Sequence, residues 1–320
     1  MKSKLIFLFA FISLWFVNVP IYCLGNELLY SKVAPRCVEI LVEGRLEGSG
    51  FIVSKEGLVI TAHHVTKKKA KSVEAFSSYI GRAPLKRIAN YKGCDLALFS
   101  LPPKEDEYPS LPLANEVPAE GTKVFLFGSP IFRHHLLLTG FVASKKGTYS
   151  WYDGAFTKTF YISGIAAPGT SGGPWLNQKG EVFGIQAAGL TTNGGHQGVN
   201  KAVEVAHIKK LIELRKDISI PTLEAAVEEL WGQSHSLIQK IPEGITGLLL
   251  RQVSPNGVCA KAGIKNEDII LSINGKKYQR IEPFMDYIRS KSPGKKIELM
   301  ICEPDGSNQR KVFLNLAELK

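Results

Sequence analysis

Short strand-like runs separated by turn residues dominate the first two thirds of this 320-residue chain. Between Cys37 and Ala202 these apolar runs follow one another, and none shows the spacing of an amphipathic helix. The chain's 30 glycines and 17 prolines are spread without a period, so the backbone turns often and is not collagen-like. We therefore predict an antiparallel β-barrel or sandwich in this part of the chain. The runs are residues 38–42, 50–53, 58–61, 96–101, 123–127, 136–142, 159–163, 182–187 and 198–203.

The pattern becomes mixed after this region. Residues 205–214 predict the first amphipathic helix, because Ile208, Leu211 and Ile212 recur on one helical face. From residue 216 onward helix and strand signals alternate, so we predict a β-rich domain over residues 26–215 and a small α+β domain over residues 216–320. In the second domain we expect helices over 222–231, 258–262 and 281–290, strands over 218–220, 247–252 and 268–273, a hairpin turn at Asn274-Gly275, and two final strands around Asp305-Gly306.

The amino terminus has the layout of a secretory signal. Lys2 and Lys4 precede a thirteen-residue apolar run, and the small residues Cys23 and Gly25 fit a cleavage site before Asn26. A membrane span needs about 20 residues, so we predict a cleaved signal peptide over residues 1–25 and export, most simply to the periplasm. An uncleaved anchor in the inner membrane stays open, since residues 5–24 make up twenty positions.

The charge and the cysteines exclude several classes of partner and cofactor. Removal of residues 1–25 lowers the net charge from +11 to +9, and the one dense basic run, Lys67 to Lys71, predicts a solvated loop, with contact to an anionic membrane surface left open. No zinc pattern, aromatic RNA-binding strand or helix-turn-helix signature accompanies the charge, so we expect no nucleic acid.

Without Cys-x-x-Cys or Gly-Lys-Ser/Thr we expect no metal, nucleotide or other cofactor. After export four cysteines allow three pairings: Cys37, Cys94, Cys259 and Cys302.

The most informative motif is the run from Pro168 to Pro174, in which glycines flank Ser171. Such glycines let the backbone turn sharply and direct amide groups at one point, where they would stabilise a developing oxyanion. A serine hydroxyl is a weak nucleophile until a base accepts its proton and a carboxylate fixes the tautomer of that base. His64, at the end of a predicted strand, and Asp95, at the start of another, supply these two groups.

Together these residues resemble the HtrA/DegP-type serine proteases of the chymotrypsin-like class, with one PDZ domain. The resemblance is carried by Gly48-Ser49-Gly50-Phe51, Thr61 to Val65, Asp95 to Leu98, Gly169 to Pro174 and Gly180 to Gly184, in that order. It implies a chymotrypsin-like double β-barrel followed by a small α+β PDZ domain. It also implies that His64 is the general base, Asp95 its orienting partner and Ser171 the nucleophile. The oxyanion hole would be formed by backbone amides of the segment Gly169, Thr170 and Ser171.

The sequence departs from the family pattern near these motifs. Ala62 and Thr170 stand where relatives often carry asparagine, and Ser163 and Ala167 replace polar residues. Without an aspartate at position 170, activation through an ion pair with a newly cut amino terminus is not expected. We instead expect control by loop rearrangement, as the resemblance implies.

The resemblance also implies two binding sites. The primary specificity pocket would be lined by Ala166, Ala188 and Leu190, which predicts small or medium aliphatic P1 residues. Residues 260–263 and 268–275 resemble the helix and strand of bacterial PDZ modules, which bind peptide carboxyl termini. We expect that binding here at Ile218, Ser219, Ile220, Met285 and Ile288, although Ser219 replaces the usual glycine.

The combined prediction is an exported, ATP-independent serine endopeptidase that degrades unfolded or damaged envelope proteins, with the PDZ domain recruiting substrates or gating. Its partners would be unfolded or C-terminally exposed polypeptides, and the resemblance implies a homotrimer. Two alternatives stay open at this point. One is a membrane-anchored regulatory protease that cuts one signalling substrate, and the other is a chaperone or adaptor that binds peptides with little proteolysis.

Overall fold

The computed structural model describes residues 22–66, 70–152, 154–192 and 195–319. Most of the expected signal peptide and three lysines of the basic run lie outside these ranges. The described chain begins with helix α1 (Tyr22–Val33) and a 3-10 turn (Ala34–Arg36), neither of which the sequence patterns indicated. No helix within the described ranges combines the length and the apolar character needed to cross a bilayer.

The first half of the β-rich region is a seven-stranded antiparallel sheet with the order β5-β4-β1-β2-β3-β7-β6. Its core contains Phe51, Ile60 and Leu98, which have no exposed surface. The central strands are buried on both faces, because Ile52, Val59 and Phe99, on the opposite face, belong to a second buried cluster. The elements are β1 (Cys37–Val42), β2 (Arg45–Ile52), β3 (Leu58–Ala62), α2 (His63–Thr66), β4 (Val73–Ser77), β5 (Gly81–Pro84), β6 (Lys86–Tyr91), a 3-10 turn (Lys92–Cys94) and β7 (Leu96–Ser100).

The second half closes into a barrel in the order β10-β13-β12-β11-β8-β9. Its centre is filled by Trp175, Phe160 and Phe183, all fully buried. The mostly-β architecture is confirmed, although hydrogen bonding among the described residues closes only this second half into a barrel. The elements are β8 (Lys123–Gly128), a 3-10 turn (Pro130–Phe132), β9 (Leu136–Tyr152), β10 (Ala155–Gly164), β11 (Pro174–Leu176), β12 (Val182–Thr192) and β13 (Gly195–Glu204).

Helix α3 (Val205–Leu214) follows at the predicted position and ends at Arg215, where we place the domain boundary. The second domain has a five-stranded sheet, β15-β16-β17-β18-β19, and a separate pair formed by β14 and β20. Asn274 and Gly275 both have positive φ, as the predicted hairpin turn requires. The elements are β14 (Ile220–Thr222), β15 (Ala226–Glu229), a 3-10 turn (Leu230–Gly232), α4 (His235–Ile238), β16 (Leu248–Arg251), α5 (Val258–Lys261), β17 (Ile269–Ile273), α6 (Ile281–Arg289), β18 (Lys296–Cys302), β19 (Arg310–Asn315) and β20 (Ala317–Leu319).

The helix predicted over residues 222–231 is wrong. This segment instead provides the end of β14 and all of β15, whose residues Ala226 to Glu229 pair with β16. Its Ala- and Glu-rich composition favours helix locally, but Leu223, Ala225 and Val227 all enter the core of the second domain. Tertiary pairing and burial therefore override a helical preference of a few tenths of a kcal/mol per residue.

The β9–β10 hairpin is much longer than the apolar runs at residues 136–142 and 159–163 predict, and it joins the two domains. Tyr149 and Phe156 near its tip belong to the same buried cluster as Phe284 of α6. The phenol of Tyr149 donates to Asp286 (2.6 Å), and the Trp151 indole donates to Gln252 (2.6 Å). The hairpin tip is thus part of the core of the second domain.

The four cysteines that export would leave are free and buried. They form no disulfide in this structure, so none of the three pairings is present.

Candidate active site

The imidazole of His64 and the carboxylate of Asp95 meet at one edge of the first sheet. Ala62, at the end of β3, pairs with Leu96, at the start of β7, so the residues beyond each strand end are neighbours. His64 Nδ1 lies 2.7 Å from Asp95 Oδ2, and the backbone N–H of His64 donates to Asp95 Oδ1 at 2.9 Å. A carboxylate can only accept here, so Nδ1 carries the proton and Nε2 is left as a proton acceptor.

The neighbouring His63 is differently placed, and its choice as the base is excluded by geometry. Its Nδ1 is buried without a hydrogen-bond partner, and burial lowers its pKa from the ordinary value. Only its backbone N–H reaches Asp95, through the carbonyl oxygen (2.9 Å). Across the small cleft beside both histidines, the ring of Tyr152 from the hairpin tip meets His64 edge-on, with centroids 5.4 Å apart.

Ser171 lies against the end of the strand that leads into His64. Its carbonyl accepts the backbone N–H of Ser49 at 2.8 Å. A Cβ atom on the next residue, Gly172, would stand 2.3 Å from Thr61 Oγ1 and 2.8 Å from the Ala62 nitrogen. Only glycine permits this approach, which brings the serine loop of the barrel onto the histidine segment of the sheet.

The loop before Ser171 forms a tight turn that presents two amides. Pro168 and Gly169 occupy its central positions, Gly169 has φ of +101°, and the Thr170 N–H closes the turn onto the Ala167 carbonyl (3.1 Å). The expectation that Thr170 contributes to the oxyanion hole is therefore wrong, because its amide is used within the turn. In the described chain the amides of Gly169 and Ser171 have no acceptor, so these two are available to an oxyanion.

Two contacts from outside the loop fix its peptide planes. The Ile131 N–H donates to the Pro168 carbonyl (2.8 Å), and the Ser49 hydroxyl donates to the Gly169 carbonyl (2.7 Å). In a trans peptide the carbonyl and the following N–H point in opposite directions. Holding the Pro168 carbonyl therefore turns the Gly169 N–H away from Ile131 and leaves it free.

A buried carboxylate supports the segment that carries Ile131. Glu39 is 2% exposed, and its Oε1 accepts from the Ser129 hydroxyl (2.7 Å) and from His134 Nδ1 (2.6 Å). Ile131 itself has φ of +47°, a costly conformation for a β-branched residue, on the order of 1–3 kcal/mol. Sequence reasoning missed Glu39 and Ile131, since a single glutamate in a strand and a loop amide leave no pattern.

The expected specificity pocket has uncharged walls but a polar base. Ala166 is buried, whereas Ala188 and Leu190 on β12 are half-buried. The fully buried Asn200, which sequence reasoning missed, pairs with Gly189 of β12: its Nδ2 donates to the Gly164 carbonyl (2.9 Å), and its Oδ1 lies 3.1 Å from His196 Nε2. Because His196 Nδ1 accepts from the Gly198 amide, Nε2 holds the proton and the ring is neutral.

The expected peptide-binding segment of the second domain is already engaged. The Ile218 N–H donates to the Asn90 carbonyl (2.9 Å), and Ile220 pairs with Leu319 while its side chain lies against Gly93. Met285 and Ile288 are buried in the domain core. The prediction that Ile218, Ser219 and Ile220 present a row of free amides is therefore wrong for Ile218, and the apolar pocket is closed.

Each of the two domains matches a known protein family of its own. Residues 48–185 match the trypsin-like peptidase domain, and residues 250–303 match the PDZ domain.

Individual relatives agree with this division. The chain is 30% identical over 271 residues to a DegP-like periplasmic serine endoprotease of Hahella chejuensis, covering 81% of this chain and 55% of the relative. A similarly named protein of Chlamydia trachomatis is 28% identical over 265 residues, covering 80% of this chain and 51% of that protein. The chain thus spans about half the length of these curated relatives.

Solved structures share the fold across both domains. The serine endoprotease of Yersinia pestis superimposes with a TM-score of 0.62 at 21% identity, covering 92% of this chain and 98% of that one. An HtrA-type protease crystallised with a decapeptide gives 0.63 at 18% identity, covering 91% and 98%. The single closed barrel and the open sheet of this chain are therefore arranged as in trypsin-like folds.

Proposed function

This chain belongs to the HtrA/DegP-type trypsin-like peptidases that carry a PDZ domain, and from that premise we propose that it is an exported, ATP-independent serine endopeptidase acting on unfolded envelope proteins. One observation carries the proposal. The His64–Asp95 hydrogen bond leaves an imidazole nitrogen free to accept a proton, while the serine that would supply it sits between two unpaired amides.

The arrangement supports acyl transfer by residues of this chain alone. His64 accepts the proton of the Ser171 hydroxyl as the oxygen attacks a peptide carbonyl, and Asp95 holds the resulting imidazolium in place. The amides of Gly169 and Ser171 stabilise the oxyanion of the tetrahedral intermediate. His64 then gives its proton to the leaving amine, and water releases the acyl group from Ser171 by the same steps.

We propose small aliphatic P1 residues, such as alanine and valine, as the preferred cleavage positions. Ala166, Ala188 and Leu190 offer no charge, and the side chain of the neighbouring Asn200 is buried and engaged with the Gly164 carbonyl. A panel of fluorogenic peptides that differ only at P1 tests this assignment. Preferential cleavage after arginine or aspartate would show that the pocket lies elsewhere.

The experiment that tests the activity is casein digestion by the purified protein and its Ser171→Ala variant, combined with fluorophosphonate labelling. We expect digestion and labelling by the wild type and neither by the variant. A properly folded wild type that binds casein but takes no label would instead favour the peptide-binding chaperone.

We propose that the PDZ domain gates the active site rather than merely tethering substrate. The β9–β10 hairpin supports this role, since Tyr149 lies in the core of the PDZ domain while Tyr152 contacts His64. A movement of the PDZ domain would therefore displace a side chain that touches the catalytic base. This coupling also suits a regulatory protease with one substrate.

We propose assembly into a homotrimer through an apolar patch on the peptidase domain. The Tyr30 hydroxyl donates to the His135 carbonyl and so joins α1 to the segment after β8. Large apolar residues of these two segments are exposed, which is unusual for a monomer surface. The patch consists of Leu28, Tyr30, Ile131, Phe132 and Leu136. Light scattering of the wild type and a Phe132→Ser variant tests this assembly, with a monomeric wild type contradicting it.

A further inference from the structure

A cavity of about 500 Å³ lies between the two domains, and none of the three proposed catalytic side chains lines it. The peptidase side contributes residues of β6, the β9–β10 hairpin and α3. The PDZ side contributes residues 218–221 and the end of α6. The proposed endopeptidase mechanism uses none of these side chains.

Three cations converge on this cavity. Lys158 and Lys210 come from the peptidase domain and Arg289 from the PDZ domain. His207 also lines the cavity, and burial, followed by the charges of Lys158, Arg289 and Lys210, lowers its pKa to about 4. Like charges held this close repel one another unless an anion lies between them.

The carboxylates of the chain compensate only part of this charge. Asp286 is the one acidic residue among those described at the cavity wall, and it lies 3.2 Å from Lys158. Within the described chain neither Lys210 nor Arg289 forms a salt bridge, although Arg289 lies near enough to Asp286 to contribute to the lowered pKa of that carboxyl. Arg289 donates to the carbonyls of Gly93 (3.2 Å) and Phe156 (2.5 Å), and its Nε is buried without an acceptor.

The geometry favours a compact anion over a peptide that adds as a strand. Strand addition needs a row of free backbone donors beside the ligand. In the segment at the cavity wall, Pro221 has no N–H and the Ile218 N–H is already bound to Asn90. Charged side chains from both domains, in contrast, are suited to the several acceptor oxygens of one phosphate group.

We propose that this cavity binds a phosphate-type oxyanion, either inorganic phosphate or the phosphate of a small soluble ester, between Lys158, Lys210 and Arg289. Because the cations belong to different domains, the anion joins the PDZ domain to the peptidase domain. Occupancy then favours the docked arrangement of the hairpin.

The test is calorimetric titration of the full protein with inorganic phosphate and with glycerol 3-phosphate, at constant ionic strength against a chloride control. We expect saturable binding of one anion per chain. Lys210→Gln should weaken binding about tenfold or more, as loss of a charged hydrogen-bond donor does, and Lys158→Gln should act in the same direction. Lys209→Gln is the matched control, because Lys209 adjoins Lys210 in the chain but does not line the cavity, so its replacement should leave binding unchanged.

Three results would overturn the proposal. The first is the absence of saturable binding by either anion to the folded wild type. The second is equal weakening in the Lys209→Gln and Lys210→Gln variants, which indicates only diffuse surface attraction. The third is binding that requires phosphatidylglycerol vesicles, or a peptide with a free carboxyl terminus, while both soluble phosphates fail. Activity is not measured here, so failure of the endopeptidase proposal would be seen separately.

Discussion

The two halves of the active site are held together in different ways. The sheet half supplies His64 and Asp95 from the ends of paired strands, and their contact follows directly from the β3–β7 register. The barrel half supplies Ser171 and the oxyanion loop, whose peptide planes depend on Ser49 and Ile131 far away in the chain. Regular strand pairing therefore fixes the base, whereas individual hydrogen bonds from other segments fix the oxyanion loop.

This difference indicates which half can be switched. Separating His64 from Asp95 would require breaking a central strand pair. Turning the Pro168–Gly169 peptide requires the loss of only a few hydrogen bonds, and the strained Ile131 that holds it already favours another conformation. We therefore expect regulation to act on the oxyanion loop.

The largest effect should come from the sheet half. His64→Ala should lower kcat on the order of 10⁶-fold, the magnitude found when the base of such a triad is removed. His63→Ala is the matched control and should retain most activity, because only its backbone contacts Asp95. Peptide hydrolysis rates check both variants. Equal losses of activity in the two variants would contradict the assignment of His64 as the base. They would also contradict the conclusion that the β3–β7 register fixes the base.

The next largest loss of activity is expected from changing the tight turn before Ser171, in the barrel half of the site. Gly169→Ala should lower kcat about 100- to 1000-fold, the cost of losing one oxyanion donor, because its Cβ would lie 2.3 Å from the Ser129 carbonyl oxygen. Gly195→Ala is the control: Gly195 has a similar φ of +100° but open space around the added atom. Steady-state kinetics and circular dichroism of both variants separate the lost donor from general strain. Similar kcat values for the two would contradict the assignment.

A smaller loss of activity is expected from removing the Ser49–Gly169 hydrogen bond, which joins the sheet half of the site to the barrel half. Ser49→Ala removes the hydroxyl that donates to the Gly169 carbonyl and accepts from the Ser129 N–H, and we expect kcat to fall about tenfold or more with KM unchanged, because two hydrogen bonds of about 1 kcal/mol each are lost. The exposed Ser307→Ala provides the baseline. A rise in KM without a change in kcat would show that Ser49 shapes substrate binding instead.

The last expected effect is on stability rather than on rate, and it arises at the contact between the domains. Burial, and then the nearby Lys158, Arg289 and Lys210, lower the His207 pKa to about 4, so the unfolded chain binds this proton more readily than the folded one. The stabilisation is complete above pH 6.5 and is lost as the pH falls toward 4, by up to about 3 kcal/mol.

His207→Asn should therefore flatten the acid side of a plot of unfolding free energy against pH, measured with urea. The exposed His235→Asn should leave its shape unchanged. A wild-type plot that is flat between pH 6.5 and 4 would contradict the buried neutral state of His207.

Residue patterns were sufficient where a feature is local in the chain. The spacing of Ile208, Leu211 and Ile212 predicts α3 with correct ends, and Asn274-Gly275 predicts a turn whose positive φ angles the structure shows. The three catalytic candidates were also identified in this way, since each sits in its own short motif. The helix expected over residues 222–231 failed because its local preference is weaker than the burial of Leu223 and Val227 in a sheet.

The sequence by itself determined the strand-rich class, the order of the two domains and the candidates for the triad, because periodicity and short motifs are properties of neighbouring residues. Only the tertiary structure decided that Thr170 closes a turn, that Ile131 and Ser49 hold the oxyanion loop, and that the hairpin enters the PDZ core. These features depend on hydrogen bonds and packing between residues many positions apart. Such contacts leave no periodic trace, since each partner is chosen by where the folded backbone brings it.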